Sequence, residues 1–174
     1  DVALDKIVEL DWWEQRKIGG LNFIATPAVH YARRGIFDGD ERLWCSWAIQ
    51  GQSHRLFISG DSGYFDGFKK VGDKLGPFDL TFLKIGAYDE TWKQIHMTPE
   101  EAVRQHQDLS GDRLVPLHWA TFDLALHPWY EPIERMVASA GEKGIRFITP
   151  VIGEQVDFNG LAKEKPWWRT VDAP

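Results

Sequence analysis

Three apolar segments of the chain end in a side chain that can bind a metal ion. They are residues 23–30, 56–61 and 114–118, which end in His30, Asp61 and His118. Strand ends in α/β architectures converge at one edge of the sheet, where ligands bind. Two imidazoles and a carboxylate suit a zinc-type ion, and a carboxylate can bridge two ions that activate water. The residue types therefore predict a metal centre, with separate structural roles for the three side chains as the alternative.

The elements that would position these residues can be predicted from apolar runs and turn signals. Seven strands are predicted, at Ile7–Leu10, Leu21–Ala25, Leu43–Ile49, Arg55–Ser59, Leu80–Ile85, Leu114–Leu117 and Arg146–Thr149. Helices are predicted over Asp66–Leu75, from Thr98 onward and over Tyr130–Ala140. Thr98 and Glu101 have the spacing of a capping box, with Pro99 at the first helical position.

Early hairpins followed by alternating strands and helices predict an α/β (α+β) fold, with a mixed sheet and helices on one face. The other face of that sheet would then need a cover. The length of 174 residues fits a single domain spanning residues 1–174.

Five stretches together resemble a known family. They are residues 26–30 with Arg33 and Arg34, then 57–64, 85–88, 96–103 and 117–122. In this order they are similar to the C-terminal half of the metallo-β-lactamase superfamily. The resemblance is strongest to the N-acyl-phosphatidylethanolamine-hydrolysing phospholipases D and their bacterial relatives, and it covers roughly residues 20 to 130. It implies that the complete protein is an αββα sandwich, of which this chain is the second half.

The resemblance also implies roles for individual residues. His30 would bind one divalent ion, His118 a second one, and Asp61 would bridge the two, with zinc as the expected metal. His96 would lie at the rim of the site, where it binds or polarises substrate, with an exposed loop histidine as the alternative. Asp61 and His96 are thus the candidate catalytic residues.

Three further residues are candidates for substrate binding. Arg33 and Arg34 follow His30 and have the charge to meet an anionic phosphate, although such a pair is commonly solvated surface. Tyr88 stands in the matched stretch that precedes His96. Ser62 is a weak candidate nucleophile, because no Gly-x-Ser-x-Gly motif surrounds it.

The resemblance implies metal-assisted hydrolysis of a phosphodiester, in the manner of a phospholipase D. The family's main signature, His-x-His-x-Asp-His, is absent from the sequence, in which no two of the six histidines are two positions apart. We therefore expect a fragment that is inactive by itself. The alternative is a non-catalytic binding or assembly module that lacks this motif.

Composition limits the partners. A formal net charge of -6 makes a nucleic-acid partner unexpected. A single cysteine, Cys45, excludes an internal disulfide. Expected partners are the missing N-terminal half or a second copy of the chain, with a small-molecule or phospholipid substrate. Two tryptophan pairs, at residues 12–13 and 167–168, are interpreted as packing or as an interface to protein or lipid headgroups. Contact with a membrane surface would fit a cytoplasmic or peripheral membrane location.

Overall fold

A computed structural model of the chain describes residues 3–33, 35–158 and 165–171. The strands are β1 (Gln15–Ile18), β2 (Leu21–Thr26), β3 (Ser46–Gln50), β4 (Arg55–Ile58), β5 (Phe78–Lys84), β6 (Gly111–Leu117) and β7 (Arg146–Phe147). The α-helices are α1 (Gly67–Leu75), α2 (Pro99–Asp108) and α3 (Glu131–Glu142). Short 3₁₀ turns occur at Leu4–Lys6 and Trp167–Thr170.

The seven strands form one sheet whose spatial order is the chain order, β1 to β7. Strands β1 to β4 pair antiparallel, and β4 to β7 pair parallel. The helices α1, α2 and α3 follow β4, β5 and β6, because a parallel neighbour needs a crossover connection. The predicted mixed sheet is confirmed.

All three helices contribute to one core on a single face of the sheet, as predicted. Fully buried side chains from the helices meet fully buried side chains from the strands; they include Phe68, Val71, Ala102, Val103, Ile133 and Met136 on the helices and Ala48, Phe57, Leu83 and Leu114 on the strands. Helix α2 begins where the capping box predicted. Thr98 Oγ1 accepts from the Glu101 amide at 3.3 Å, and Glu101 Oε2 accepts from the Thr98 amide at 2.8 Å.

The opposite face of the sheet is also apolar, and we call it the open face. Its side chains alternate with those that point to the helices. Neighbouring strands place apolar residues of this face opposite one another, in the pairs Phe23–Ile49, Trp47–Ile58, Leu56–Leu80 and Ile58–Phe82. Of the open face, Leu80, Val115 and Ile148 are buried, whereas Phe23, Trp47, Ile49, Leu56, Ile58 and Phe82 are only half-buried.

Two predictions about the N-terminal region were wrong. Residues 7–10 are not a strand: Ile7 and Val8 are 49% and 46% exposed, and no neighbouring strand pairs with them. Strand β1 was missed because all four of its residues are exposed, so that the sequence shows no apolar alternation there. It is an edge strand that pairs with β2.

The tryptophan pairs contribute to the packing of the chain itself. Trp168 is 4% exposed, and its indole N–H donates to Glu134 Oε1 at 2.7 Å. The Trp12 indole donates to the Trp44 carbonyl at 2.7 Å. In the described ranges, no helix combines the length and the apolar character needed to cross a bilayer.

Candidate functional site

The chain topology brings several strand ends to one edge of the sheet. Strands β2 and β4 run in the same direction, since both are antiparallel to β3, and β6 shares that direction through β5. The loops after β2, β4 and β6 carry His30, Asp61 and His118. These side chains therefore converge at the carboxyl edge of the sheet, as the strand-end argument requires.

Four side chains meet at this edge, and we call them the edge cluster: His30, Asp61, His96 and His118. Ligand atoms of His30, Asp61 and His96 all lie within 4.8 Å of one another. His118 Nε2 lies 3.5 Å from Asp61 Oδ1, and the rings of His96 and His118 are 5.4 Å apart. Asp61 thus lies between His118 and the two other imidazoles. His96 is as central to the cluster as the strand-end residues are, rather than at its rim.

Backbone carbonyls determine which nitrogen each of two rings presents to the cluster. A carbonyl oxygen can only accept, so His30 Nδ1–H donates to Tyr31 O at 2.9 Å and His96 Nδ1–H donates to Ala87 O at 2.7 Å. In the neutral rings both Nε2 atoms then carry lone pairs, and they face each other at 3.3 Å. Two facing lone pairs beside a carboxylate repel one another unless a proton or a metal ion lies between them. The donor set therefore fits a divalent metal ion with nitrogen and oxygen ligands.

The electrostatic environment keeps His96 neutral. Burial, together with the positive charge of Lys84, lowers the pKa of His96 to about 4. The Lys84 side chain is 1% exposed, and its amine donates to the Met97 carbonyl at 3.0 Å. Burial lowers the pKa of Lys84 to about 7, against the attraction of Asp61. At neutral pH, His96 Nε2 is therefore an acceptor or ligand atom and not a donor.

Backbone conformations that side chains rarely adopt are concentrated around the cluster. Ala87 and His118 have φ angles of 57° and 59°, in the left-handed region, and Gly60 turns the chain just before Asp61 with φ 58°. A Cβ atom on Gly86 would lie 2.2 Å from the His118 carbonyl oxygen. The missing side chain at Gly86 lets the loop after β5 lie directly against His118.

Ser62 joins three loops of the site, a role that the sequence did not suggest. Its buried hydroxyl accepts from the Val29 amide at 2.9 Å and donates to the Gly63 carbonyl at 2.7 Å. Its own carbonyl accepts from the Met97 amide at 3.1 Å. Since Val29 and Met97 are neighbours of His30 and His96, Ser62 links the backbone beside three members of the cluster. A hydroxyl held in this way is not poised as a nucleophile.

Two of the three predicted substrate-binding residues have contacts within the chain. The Tyr88 hydroxyl donates to Glu131 Oε1 at 2.6 Å, at the start of α3, and its role as a substrate contact stays a prediction. The Arg33 guanidinium donates to the carbonyls of Gly35 and Ile36 at 2.9 and 2.8 Å, within its own exposed loop. Arg34 lies outside the described residues.

A cavity of about 660 Å³ borders His118. Its wall is formed mainly by the loop that follows β6 and the start of α3, and includes Trp119, Phe122, Leu124, Trp129 and Pro132. Phe122 and Leu126 of this loop are 79% and 98% exposed. The edge cluster therefore has an apolar space directly beside it.

Comparisons with known proteins agree with this geometry. A protein-family model described as a β-lactamase superfamily domain matches residues 2–119. An uncharacterised protein of Mycobacterium tuberculosis is 45% identical over 171 residues, which are 97% of this chain and 46% of the relative. An N-acyl-phosphatidylethanolamine-hydrolysing phospholipase D of Caenorhabditis elegans is 36% identical over 160 residues, which are 85% of this chain and 45% of the relative. The chain thus spans about half the length of these curated relatives.

Solved structures share the fold. A metallo hydrolase of the archaeon Ignicoccus hospitalis superposes with a TM-score of 0.67 at 21% identity, covering 86% of this chain and 59% of the other. An isothiocyanate hydrolase from Delia radicum gut bacteria superposes with a TM-score of 0.64 at 19% identity, covering 88% and 59%. At these identities the likeness establishes the architecture alone.

Proposed function

We propose, because the chain belongs to the β-lactamase superfamily, that it supplies the second half of a hydrolase with a two-metal site. The observation that carries the proposal is the pair of Nε2 lone pairs of His30 and His96, 3.3 Å apart beside the Asp61 carboxylate. Such a group of donors is costly to assemble without a cation. Its place at the carboxyl edge of the sheet is where ligands of this architecture bind.

Each member of the cluster has a proposed role. His30 and His118 would each hold one divalent ion, with zinc as the proposed metal, and Asp61 would be a ligand common to both. When bound, the ions supply an acidified water and stabilise negative charge on the attacked centre. His96 accepts a hydrogen bond at Nε2 from the attacking water and orients it. This role replaces polarisation of the substrate, for which neutral His96 would need a proton on Nε2.

The proposed substrate is a phosphodiester, and within that class a phospholipid. The name of the C. elegans relative supports this choice, as does the apolar cavity of about 660 Å³ beside His118. That cavity has space for an apolar group of the substrate, while the phosphate lies at the edge cluster. Arg33 and Arg34, which follow His30 in the sequence, are the proposed cationic contacts to the phosphate.

The proposed complete protein contains a further half that supplies the other ligands. The three ligands assigned above give each ion two protein atoms, whereas catalytic zinc sites typically keep about three plus water. The half-buried open face supports the same proposal, because a second layer packed on it would form the αββα sandwich. A second copy of the chain is the competing cover.

The decisive experiment compares the 174-residue chain with the longer protein that includes the proposed first half. Zinc binding is measured by calorimetry, and turnover with bis(p-nitrophenyl) phosphate and with an N-acylated phosphatidylethanolamine. The longer protein should bind two ions and hydrolyse a phosphodiester, and a chelator should abolish this activity. The chain alone should bind zinc weakly and be silent.

Two results would contradict the proposal. Tight binding of two ions with turnover by the short chain would mean that the site is complete without a further half. A longer protein that binds no metal would instead support a non-catalytic binding or assembly module.

A further inference from the structure

The residue Ala87 is held by hydrogen bonds on both sides of its Cα atom. Its carbonyl oxygen accepts from His96 Nδ1 at 2.7 Å and from the Trp92 indole at 2.8 Å. Its amide donates to His127 Nε2 at 3.0 Å. His127 belongs to the loop before α3, far in sequence from the residues that it reaches. Through one residue, Ala87, it is therefore connected to the edge cluster.

These contacts determine the protonation of the His127 ring. Because the Ala87 N–H is the donor, His127 Nε2 must carry a lone pair. The proton is then on Nδ1, which donates to the Pro128 carbonyl at 3.1 Å. Both ring nitrogens are thus used by backbone groups, and His127 presents a fixed acceptor to Ala87.

Ala87 needs such an acceptor. It is 6% exposed and has a φ of 57°, a conformation that a residue with a Cβ rarely adopts. A buried amide without a partner is costly, and the Gly86–Ala87 peptide would turn to find one. That turn changes the φ angle of Ala87, which moves the following Ala87 carbonyl relative to His96.

The His127 ring is itself supported by neighbouring side chains. It stacks on Tyr88 with the ring centroids 4.5 Å apart. The Tyr88 hydroxyl is bonded to Glu131, and the Arg135 guanidinium lies 4.7 Å from the centre of the Tyr88 ring. Arg135 is in turn held by two hydrogen bonds to Glu100, of 2.8 and 2.7 Å. Helices α2 and α3 thereby fix the position of the acceptor.

We propose that His127 is a positioning residue for His96. By accepting from the Ala87 amide it orients the Ala87 carbonyl, which keeps the proton of His96 on Nδ1 and leaves Nε2 facing His30. The inference rests on the proposed function only for the role of His96 Nε2 in the edge cluster. An imidazole whose Nδ1–H donates to a fixed carbonyl is held in one tautomer and one orientation.

Two substitutions separate this role from simple packing. His127→Gln retains a side-chain acceptor for the Ala87 amide but loses the ring that stacks on Tyr88. His127→Phe retains a stacking ring but loses the acceptor. If His127 acts as an acceptor, the His96 tautomer and the zinc affinity of His127→Gln resemble those of the wild type, whereas those of His127→Phe differ. If the ring only packs, the order is reversed.

The first readout needs no metal. The longer protein, carrying ¹⁵N-labelled histidine, is studied by NMR in metal-free buffer, and two-bond couplings identify the protonated nitrogen of His96. The wild type and His127→Gln should show the Nδ1–H tautomer alone, and His127→Phe a mixture of tautomers. A pure Nδ1–H tautomer in a folded His127→Phe protein would overturn the inference, as would equal impairment of both variants.

The second readout is zinc affinity, measured by competition with a chelating dye. His127→Phe should bind zinc about 10- to 100-fold more weakly than the wild type, the range typical for loss of a group that supports a metal site from outside its ligands. His127→Gln should remain within a few-fold of the wild type. If the wild type binds no zinc while the tautomers change as expected, the positioning role stands and the proposed function fails. If zinc binds but the two variants have equal affinity, the positioning role fails.

Discussion

The two faces of the sheet have similar compositions but different surroundings. On the helix face, Phe57 and Leu83 are fully buried beneath α1, α2 and α3. On the open face, Phe82 and Trp47 come from the same strands or their neighbours, yet they remain half-buried. Both faces carry the aromatic and branched residues of a core. The difference is the one that we expect if a second layer of the proposed complete protein packs on the open face.

Deletion of a matched phenylalanine from each face should give the largest difference in stability. Phe57→Ala in the 174-residue chain should cost about 3–5 kcal/mol, since Phe57 is 0% exposed and a cavity would remain. Phe82→Ala should cost only roughly 1 kcal/mol, because its ring is already partly in water. Urea denaturation measures both free energies of unfolding.

The same two substitutions also compare the two faces of the sheet in the longer protein. There the cost of Phe82→Ala should rise toward that of Phe57→Ala, as the proposed second layer buries the ring. Equal costs of the two substitutions in the short chain would mean that the open face is already a complete core. An unchanged low cost of Phe82→Ala in the longer protein would mean that the proposed layer packs elsewhere.

Acid should destabilise the helix face through His106. This side chain is 3% exposed, and its Nδ1 lies 2.7 Å from Thr81 Oγ1. Burial lowers the pKa of His106 to about 4 from 6.5, so the unfolded chain takes up the proton first as the pH falls. The contribution of neutral His106 to the free energy of unfolding is fully present above pH 6.5 and is lost toward pH 4. It amounts to roughly 3 kcal/mol.

The check is the free energy of unfolding between pH 7 and pH 4, in the wild type and in His106→Gln. His96 also has a lowered pKa, of about 4. In His106→Gln the free energy of unfolding should therefore still fall with pH, but less steeply than in the wild type. An unchanged slope in His106→Gln would show that His106 accepts a proton in the folded chain without cost. The open-face variant Phe82→Ala serves as the control, since it should leave the slope as it is.

Association should reveal the open face in a third, smaller effect. We expect the isolated chain to self-associate, because a contiguous apolar patch seeks a cover. Ile49→Lys places a charge in the middle of that face and should reduce the apparent mass in light scattering, with a change in stability of about 1 kcal/mol or less. Lys17→Glu, on the exposed edge strand β1, is the control. A wild-type chain that is monomeric at all concentrations would contradict the expectation.

Local signals in the sequence predicted those parts of the fold that depend on neighbours in the chain. The start of α2 was predictable because Thr98 and Glu101 satisfy one another's backbone amides. The convergence of His30, Asp61 and His118 followed from the geometry of strand ends. Strand β1 was missed because an exposed edge strand needs no apolar pattern.

Long-range contacts explain what the sequence could not predict in the site. His96 reaches His30 because Ser62 and Lys84 hold the backbone at Met97, and neither contact leaves a trace in residue spacing. His127 gives no signal in the sequence, since nothing nearby in the chain indicates that its partner is Ala87. Such roles depend on how distant loops pack against one another, which is visible only in the folded chain.

The central claim is that the edge cluster binds divalent ions for hydrolysis. The most direct test is the metal content of the longer protein by mass spectrometry, with phosphodiester turnover measured on the same samples. Asp61→Ala removes the carboxylate that lies between His118 and the other imidazoles. Asp66→Ala is the matched control, a carboxylate in the following loop whose side chain is 92% exposed.

The wild type and Asp66→Ala should contain two ions per chain and turn over substrate at equal rates. Asp61→Ala should lose at least one ion and at least about 100-fold in turnover, because both ions share its carboxylate. Two retained ions and full turnover in Asp61→Ala would contradict the account.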